Sequence, residues 1–140
     1  MSYTIRLLKK ETIADNTMAF YFEKPEGFTY RAGQYGSFTL VDPPETDTEG
    51  NSRNFSFASA PYEEYLSIAT RMRDTAFKRV LKGLPEGAEL KLEGSYGSFM
   101  FPKDPSTPAI FLTGGIGATF VRSMVAQATH ERSPQKCIFI

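Results

Sequence analysis

The chain has no tryptophan, one cysteine and one histidine in 140 residues. Cys137 alone excludes an internal disulfide framework and any cysteine-rich metal or iron-sulfur site, and with only His130 beside it no resident metal is expected. Net charge is missing too. Sixteen Lys and Arg balance sixteen Asp and Glu, so no overall field draws the chain to nucleic acid or an anionic membrane, and neither is expected as a partner. No apolar run approaches the roughly 18 residues that a spanning helix needs. The opening Met1-Ser2-Tyr3-Thr4-Ile5-Arg6 lacks the apolar stretch of a signal peptide, so a soluble, cytoplasmic protein is expected.

What is present points to many short elements joined by turns: nine Pro, eleven Gly and a 14% aromatic content. Residues 3–9, 17–23 and 35–41 are rich in Val, Ile, Thr, Tyr and Phe and are bounded by turn residues, the pattern of strands. Residues 42–52 are polar and acidic and contain Pro43 and Pro44, which predicts a solvated loop. Residues 53–59 and 65–71 read as two further strands, and the paired acids Glu63 and Glu64 between them read as solvated charge. Ala76, Phe77, Val80 and Leu81 then recur at helical spacing, with Asp74 as the expected N-cap and Gly83 as the stop. A sixth strand follows at 88–93. Six strands with one helix before the last suit a small closed antiparallel barrel, ending near Phe101.

Three prolines within residues 102–108 mark a boundary, dividing the chain into a barrel, 1–102, and a second unit, 103–140. Residues 109–113 form an apolar run suited to a buried parallel strand, and they lead straight into Gly114-Gly115-Ile116-Gly117. The following helix gathers Phe120, Val121, Met124, Val125 and Ala128 on one face, Ser133-Pro134 ends it, and 136–140 begin another strand. The expected class is therefore mostly β: a six-stranded antiparallel barrel with one short helix, then a partial α/β (βαβ) nucleotide-binding unit.

The chemistry concentrates in Arg53-Asn54-Phe55-Ser56. Strand alternation puts Arg53 and Phe55 on one face and Ser56 on the other. Glycines 114, 115 and 117, between an apolar strand and a helix, stand where small residues let a backbone approach a nucleotide closely. Arg53-x-Phe55-Ser56-x-Ala58-Ser59-Ala60-Pro61 resembles the Arg-x-Tyr-Ser/Thr flavin motif of the ferredoxin-NADP reductase family. Three more segments resemble that family in the same order: Thr70 to Phe77, Glu93 to Phe99, and Thr113 to Thr119.

The resemblance implies a flavin-dependent oxidoreductase that passes electrons from NAD(P)H through FAD to an unidentified acceptor, with FMN the lesser alternative to FAD. It implies Arg53 on the pyrophosphate, Phe55 stacked on the isoalloxazine, and Ser56 donating towards flavin N5. Asn54 falls within the same motif. Thr70, Arg71 and Thr75 are implied at the flavin phosphates, Gly114, Gly115 and Gly117 at the nicotinamide end, and Thr119 close to the flavin or the incoming hydride donor. Ser56 and Thr119 are the implied catalytic pair. Phe55 departs from the usual Tyr, and Ser95 and Phe120 replace frequent prolines. Because the family's second domain is normally longer, a complementing chain or a redox partner protein is expected. The alternative is a non-catalytic flavin-binding module or a fragment.

Overall fold

The computed structural model describes residues 1–140. Alternation along the strands builds one curled sheet. On β2 (Thr17–Glu23) Met18, Phe20 and Phe22 turn inward, on β3 (Tyr35–Leu40) Phe38 and Leu40, and on β5 (Tyr65–Arg71) Leu66, Ile68 and Thr70. β1 (Ser2–Ala14) contributes Ile5 and Leu7, and β6 (Glu89–Tyr96) contributes Leu90 and Leu92. With β4 (Ser52–Ser56), the strands lie in the order β4-β3-β6-β1-β2-β5, every pair antiparallel.

β1 runs well past the predicted residues 3–9 because it serves two partners. Ser2 to Arg6 pair with β6, and Leu7 to Ala14 pair with β2 across two irregularities that bend the strand. Its second half carries exposed Lys9, Glu11 and Thr12, so no apolar alternation marks it in the sequence. The end strands β4 and β5 share no ladder. They meet just beyond β4, where the Ala58 amide donates to the Ser67 carbonyl at 2.8 Å. The expected six-stranded barrel thus takes the form of a curled sheet whose ends meet where Ser67 bonds Ala58 and Ser59.

Helix α1 (Ala76–Gly83) presses Ala76, Phe77, Val80 and Leu81 into the sheet's interior. Its N-cap is Thr75, not Asp74. Thr75 has the extended backbone of a cap (φ −117°, ψ 152°) and its hydroxyl accepts from the Lys78 amide at 3.4 Å, whereas the Asp74 carboxylate is drawn to Arg79 at 2.5 Å.

The second unit pairs β7 (Ala109–Phe111) in parallel with β8 (Cys137–Phe139) through α2 (Ala118–His130), which a short 3-10 turn at Gly115–Gly117 precedes. Residues 109–113 are buried on one side only. Phe111 lies under α2, while Ile110 is 64% exposed and Leu112 82%, because the single helix covers one face of the pair. The barrel cluster holds 17 buried apolar residues and the second cluster 3. At about 1.5–3 kcal/mol per large side chain buried, the barrel is the stable platform and the second unit leans on it. Ala32 and Phe101 pack against Phe111, Val121 and Met124, joining the two.

Candidate functional site

Two patches adjoin β4 and β5. The first is a cationic corner. Arg53 lies 5.1 Å over the Phe77 ring, and Phe55, on the same face as expected, sits half-buried between Phe38 and Phe77 at 5.8 and 6.0 Å. Asn54 is exposed on the opposite face, and Ser56 is half-buried at the strand's end. Lys78 reaches back from α1 to the Arg71 carbonyl at 2.5 Å. Partial burial, then the charges of Arg73 and Arg53, push its ammonium below the usual lysine range.

This corner already holds carboxylates. Asp47 accepts from the Ala76 amide at the α1 N-terminus at 3.1 Å and lies 3.8 Å from the Arg53 guanidinium. Glu49 takes Arg53 at 2.8 Å, and the carbonyls of Glu49, Gly50 and Ser52 take it as well. Glu45 pairs with Arg79 at 2.9 Å, which holds its carboxyl below the usual range. The 42–52 segment is the exposed loop expected, and its acids are paired with the partial positive end of α1 and with two arginines.

The second patch is a cleft of about 600 Å³ between the outer face of β2 and β5 and the glycine-rich turn. Ile13, Ala69 and Ile116 supply apolar walls, and Ser67, Arg71 and Thr119 a polar rim. The Thr119 hydroxyl donates to the Ile116 carbonyl at 3.1 Å, in the first turn of α2. Gly115 opens the turn at φ +57°, and an added Cβ at Gly114 or Gly115 would meet nothing within 4 Å, so this backbone is open to a ligand. At Gly117 the same atom would lie 2.8 Å from the Thr113 hydroxyl, a packing constraint. Thr70 points into the barrel.

Arg71, Gly115 and Thr119 are thus brought to the cleft, while Arg53, Phe55 and Thr75 form the corner. β4 connects them. Arg53 stands at the corner and Ala58 lines the cleft, about 16 Å apart in extended chain.

Sequence reasoning missed the junction behind the cleft. Glu63 is no solvated acid. Its side chain is 11% exposed, and Arg122 of α2 grips it through two bonds, Nη2 to Oε1 at 2.8 Å and Nη1 to Oε2. Arg122 first, then the Ala60 amide and the Tyr65 hydroxyl, hold its carboxyl below the usual range against the opposing effect of burial. Beside it the Tyr30 hydroxyl donates to the Ser59 carbonyl at 2.9 Å, and burial pushes this phenol up to about 12. Ser123 donates to the same carbonyl at 2.7 Å. Arg122 and Ser123 lie 59 and 64 positions from their partners, so no local pattern announces them. His130, at the end of α2, stacks on Tyr62 at 3.9 Å.

The curled six-stranded sheet, its inserted helix and the appended βαβ unit define a ferredoxin-NADP reductase-type fold. A ferredoxin NADP+ reductase from Neisseria gonorrhoeae, solved with bound FAD and NADP, matches 99% of this chain and 56% of its own at a TM-score of 0.80 and 17% identity. A Bacillus cereus flavohemoprotein is 26% identical over 144 residues, covering 96% of the chain and 35% of the relative. A glycine betaine monooxygenase reductase subunit from Pseudomonas aeruginosa is 30% identical over 128 residues, covering 87% and 34%. No family model matches. The fold is thus that of the ferredoxin-NADP reductases, and the sequence relatives are flavohemoproteins and a monooxygenase reductase subunit. It spans about a third of the length of these curated relatives. No helix is long and apolar enough to cross a membrane.

Proposed function

We propose that the chain is the flavin-binding segment of a reductase that takes electrons from NAD(P)H, holds FAD across β4 and β5, and passes electrons to a redox partner protein. One observation carries this reading. The corner made by Arg53 and the α1 N-terminus already accepts an anion, Asp47, and the chain leaving β4 leads from it to an apolar cleft beside an open glycine turn. A carboxylate bound there supports the fit of a phosphate, since both engage a guanidinium fork and a helix-end amide through the same oxygens. The name of the Pseudomonas relative, a reductase subunit of a monooxygenase, supports a protein acceptor.

In this reading Arg53, Thr75 and the Ala76 amide hold the pyrophosphate, after Asp47 and Glu49 have given way. Phe55 at the corner offers an aromatic face and Ser56 at the end of β4 a neutral donor, while the Thr119 hydroxyl must leave the Ile116 carbonyl to donate to the ring. Ile13, Ala69 and Ile116 exclude water from the cleft, which strengthens each polar contact within it. FAD, when bound, supplies the redox chemistry and the protein supplies its orientation. Gly114 and Gly115 admit the nucleotide, and Arg71 adds positive charge at the rim. The division at 102/103 and a cytoplasmic setting belong to the same reading.

The test is anaerobic addition of NADH or NADPH to the FAD-loaded chain. Bleaching of the flavin band supports the reductase reading. Bleaching with dithionite alone restricts the chain to flavin binding.

A further inference from the structure

Arg122 lines the cleft one helical turn after Thr119, so whatever fixes Arg122 also fixes the rim of the cleft. Its guanidinium engages two residues of the barrel side at once. Beyond the paired bonds to Glu63, Nη1 donates to the Ala58 carbonyl at 3.1 Å, and Ala58 is itself a wall of the cleft. Glu63 in turn accepts from the Ala60 amide at 2.6 Å and from the Tyr65 hydroxyl at 3.0 Å, and Tyr65 also lines the cleft. This ion pair therefore ties the residues nearest the glycine-rich turn to two walls of the cleft on the barrel side.

We propose that Arg122 is a positioning residue that, through Glu63 and the Ala58 carbonyl, pins the glycine-rich turn and the first turn of α2 against the barrel and so sets the shape of the cleft. The inference rests on reading that cleft as the flavin-ring site. Arg122 is not what keeps α2 attached. Buried Met124 and the Ser123 bond to Ser59 lie on the next positions of the helix and anchor it independently. Lysine cannot replace the arginine fully, because a point charge on a flexible stem does not reproduce a planar fork shared between a carboxylate and a carbonyl.

The experiment compares the full chain with Arg122→Ala, Arg122→Lys and Glu63→Gln variants. Without flavin, hydrogen exchange read by mass spectrometry should rise about tenfold or more over residues 114–122 in Arg122→Ala, the scale set by losing charge-assisted bonds. The β1 and β6 amides should keep wild-type exchange, and Arg122→Lys should fall between wild type and Arg122→Ala. Unchanged exchange at 114–122, or equal acceleration across the barrel, would overturn the proposal. With flavin, Arg122→Ala should weaken FAD binding and alter the visible circular dichroism of bound FAD, while binding of ADP, which lacks the ring, stays at the wild-type level. An equal loss for FAD and ADP would also overturn it. Failure of the wild-type chain to take up FAD sinks the flavin reading of the cleft, and the exchange measurement still decides whether Arg122 pins the turn.

Discussion

Replacing Asp47 with alanine should move flavin affinity and stability in opposite directions. In the flavin-free chain Asp47 bonds the Ala76 amide at 3.1 Å and stands 3.8 Å from Arg53. The first contact, charge-assisted, is worth about 1.5 kcal/mol. The second would be about 4 kcal/mol at an effective dielectric of 20, but solvent reaches a third of the Asp47 side chain, which brings it to about 1 kcal/mol. A phosphate must displace both contacts before it can dock. Glu49 still holds Arg53 at 2.8 Å, so only part of this cost disappears with Asp47. FAD should therefore bind roughly 5- to 30-fold more tightly to Asp47→Ala, about 1–2 kcal/mol. The same change leaves the helix N-terminus with an unsatisfied amide and should cost about 0.5–2 kcal/mol of stability, a few degrees in Tm. Fluorescence titration with FAD and thermal unfolding of the flavin-free protein read the two effects. FAD affinity that is unchanged or weaker in Asp47→Ala would refute the placement of the phosphates at this corner.

Arg53→Ala should weaken FAD binding by about 1–3 kcal/mol through loss of charge-assisted phosphate contacts, read in the same titration. Glu63 is held below its ordinary range in the folded chain, so the unfolded state takes up its proton more readily. Its contribution should be fully present above about pH 4.3 and lost as pH falls through the lowered folded value. Denaturant melts of the wild type should show this acid loss, and Glu63→Gln should flatten it. Gly33→Ala should be among the most destabilising single changes, at about 3 kcal/mol or more by chemical denaturation. Gly33 lies at φ +98°, and a Cβ there would sit 2.2 Å from the Phe99 carbonyl oxygen.

The strands that face a filled interior could be read from the sequence because one side of each is apolar. The 17–23 and 65–71 strands fall where alternation predicts them. The second half of β1 could not, since it carries no buried apolar face and is held by backbone pairing to β2 and by polar contacts such as Lys10 to the Leu84 carbonyl. Arg53, Phe55 and Thr75 could be picked out because they sit in contiguous motifs, and the structure gathers them near α1. Their competitors could not be foreseen. Asp47 and Glu49 look like ordinary loop acids until the curled sheet carries the 42–52 segment over the helix end. The same holds for Glu63, whose partner Arg122 lies on the appended helix and meets it only when the two units dock. Long-range electrostatic pairing is set by topology, and composition carries no trace of it.

The most direct test of the central claim is equilibrium titration of the purified 140-residue chain with FAD, followed by flavin fluorescence and visible absorbance, with ADP as competitor. Saturable one-to-one binding that perturbs the flavin band and is reversed by ADP is the predicted result. An unperturbed flavin spectrum at saturating protein would contradict it.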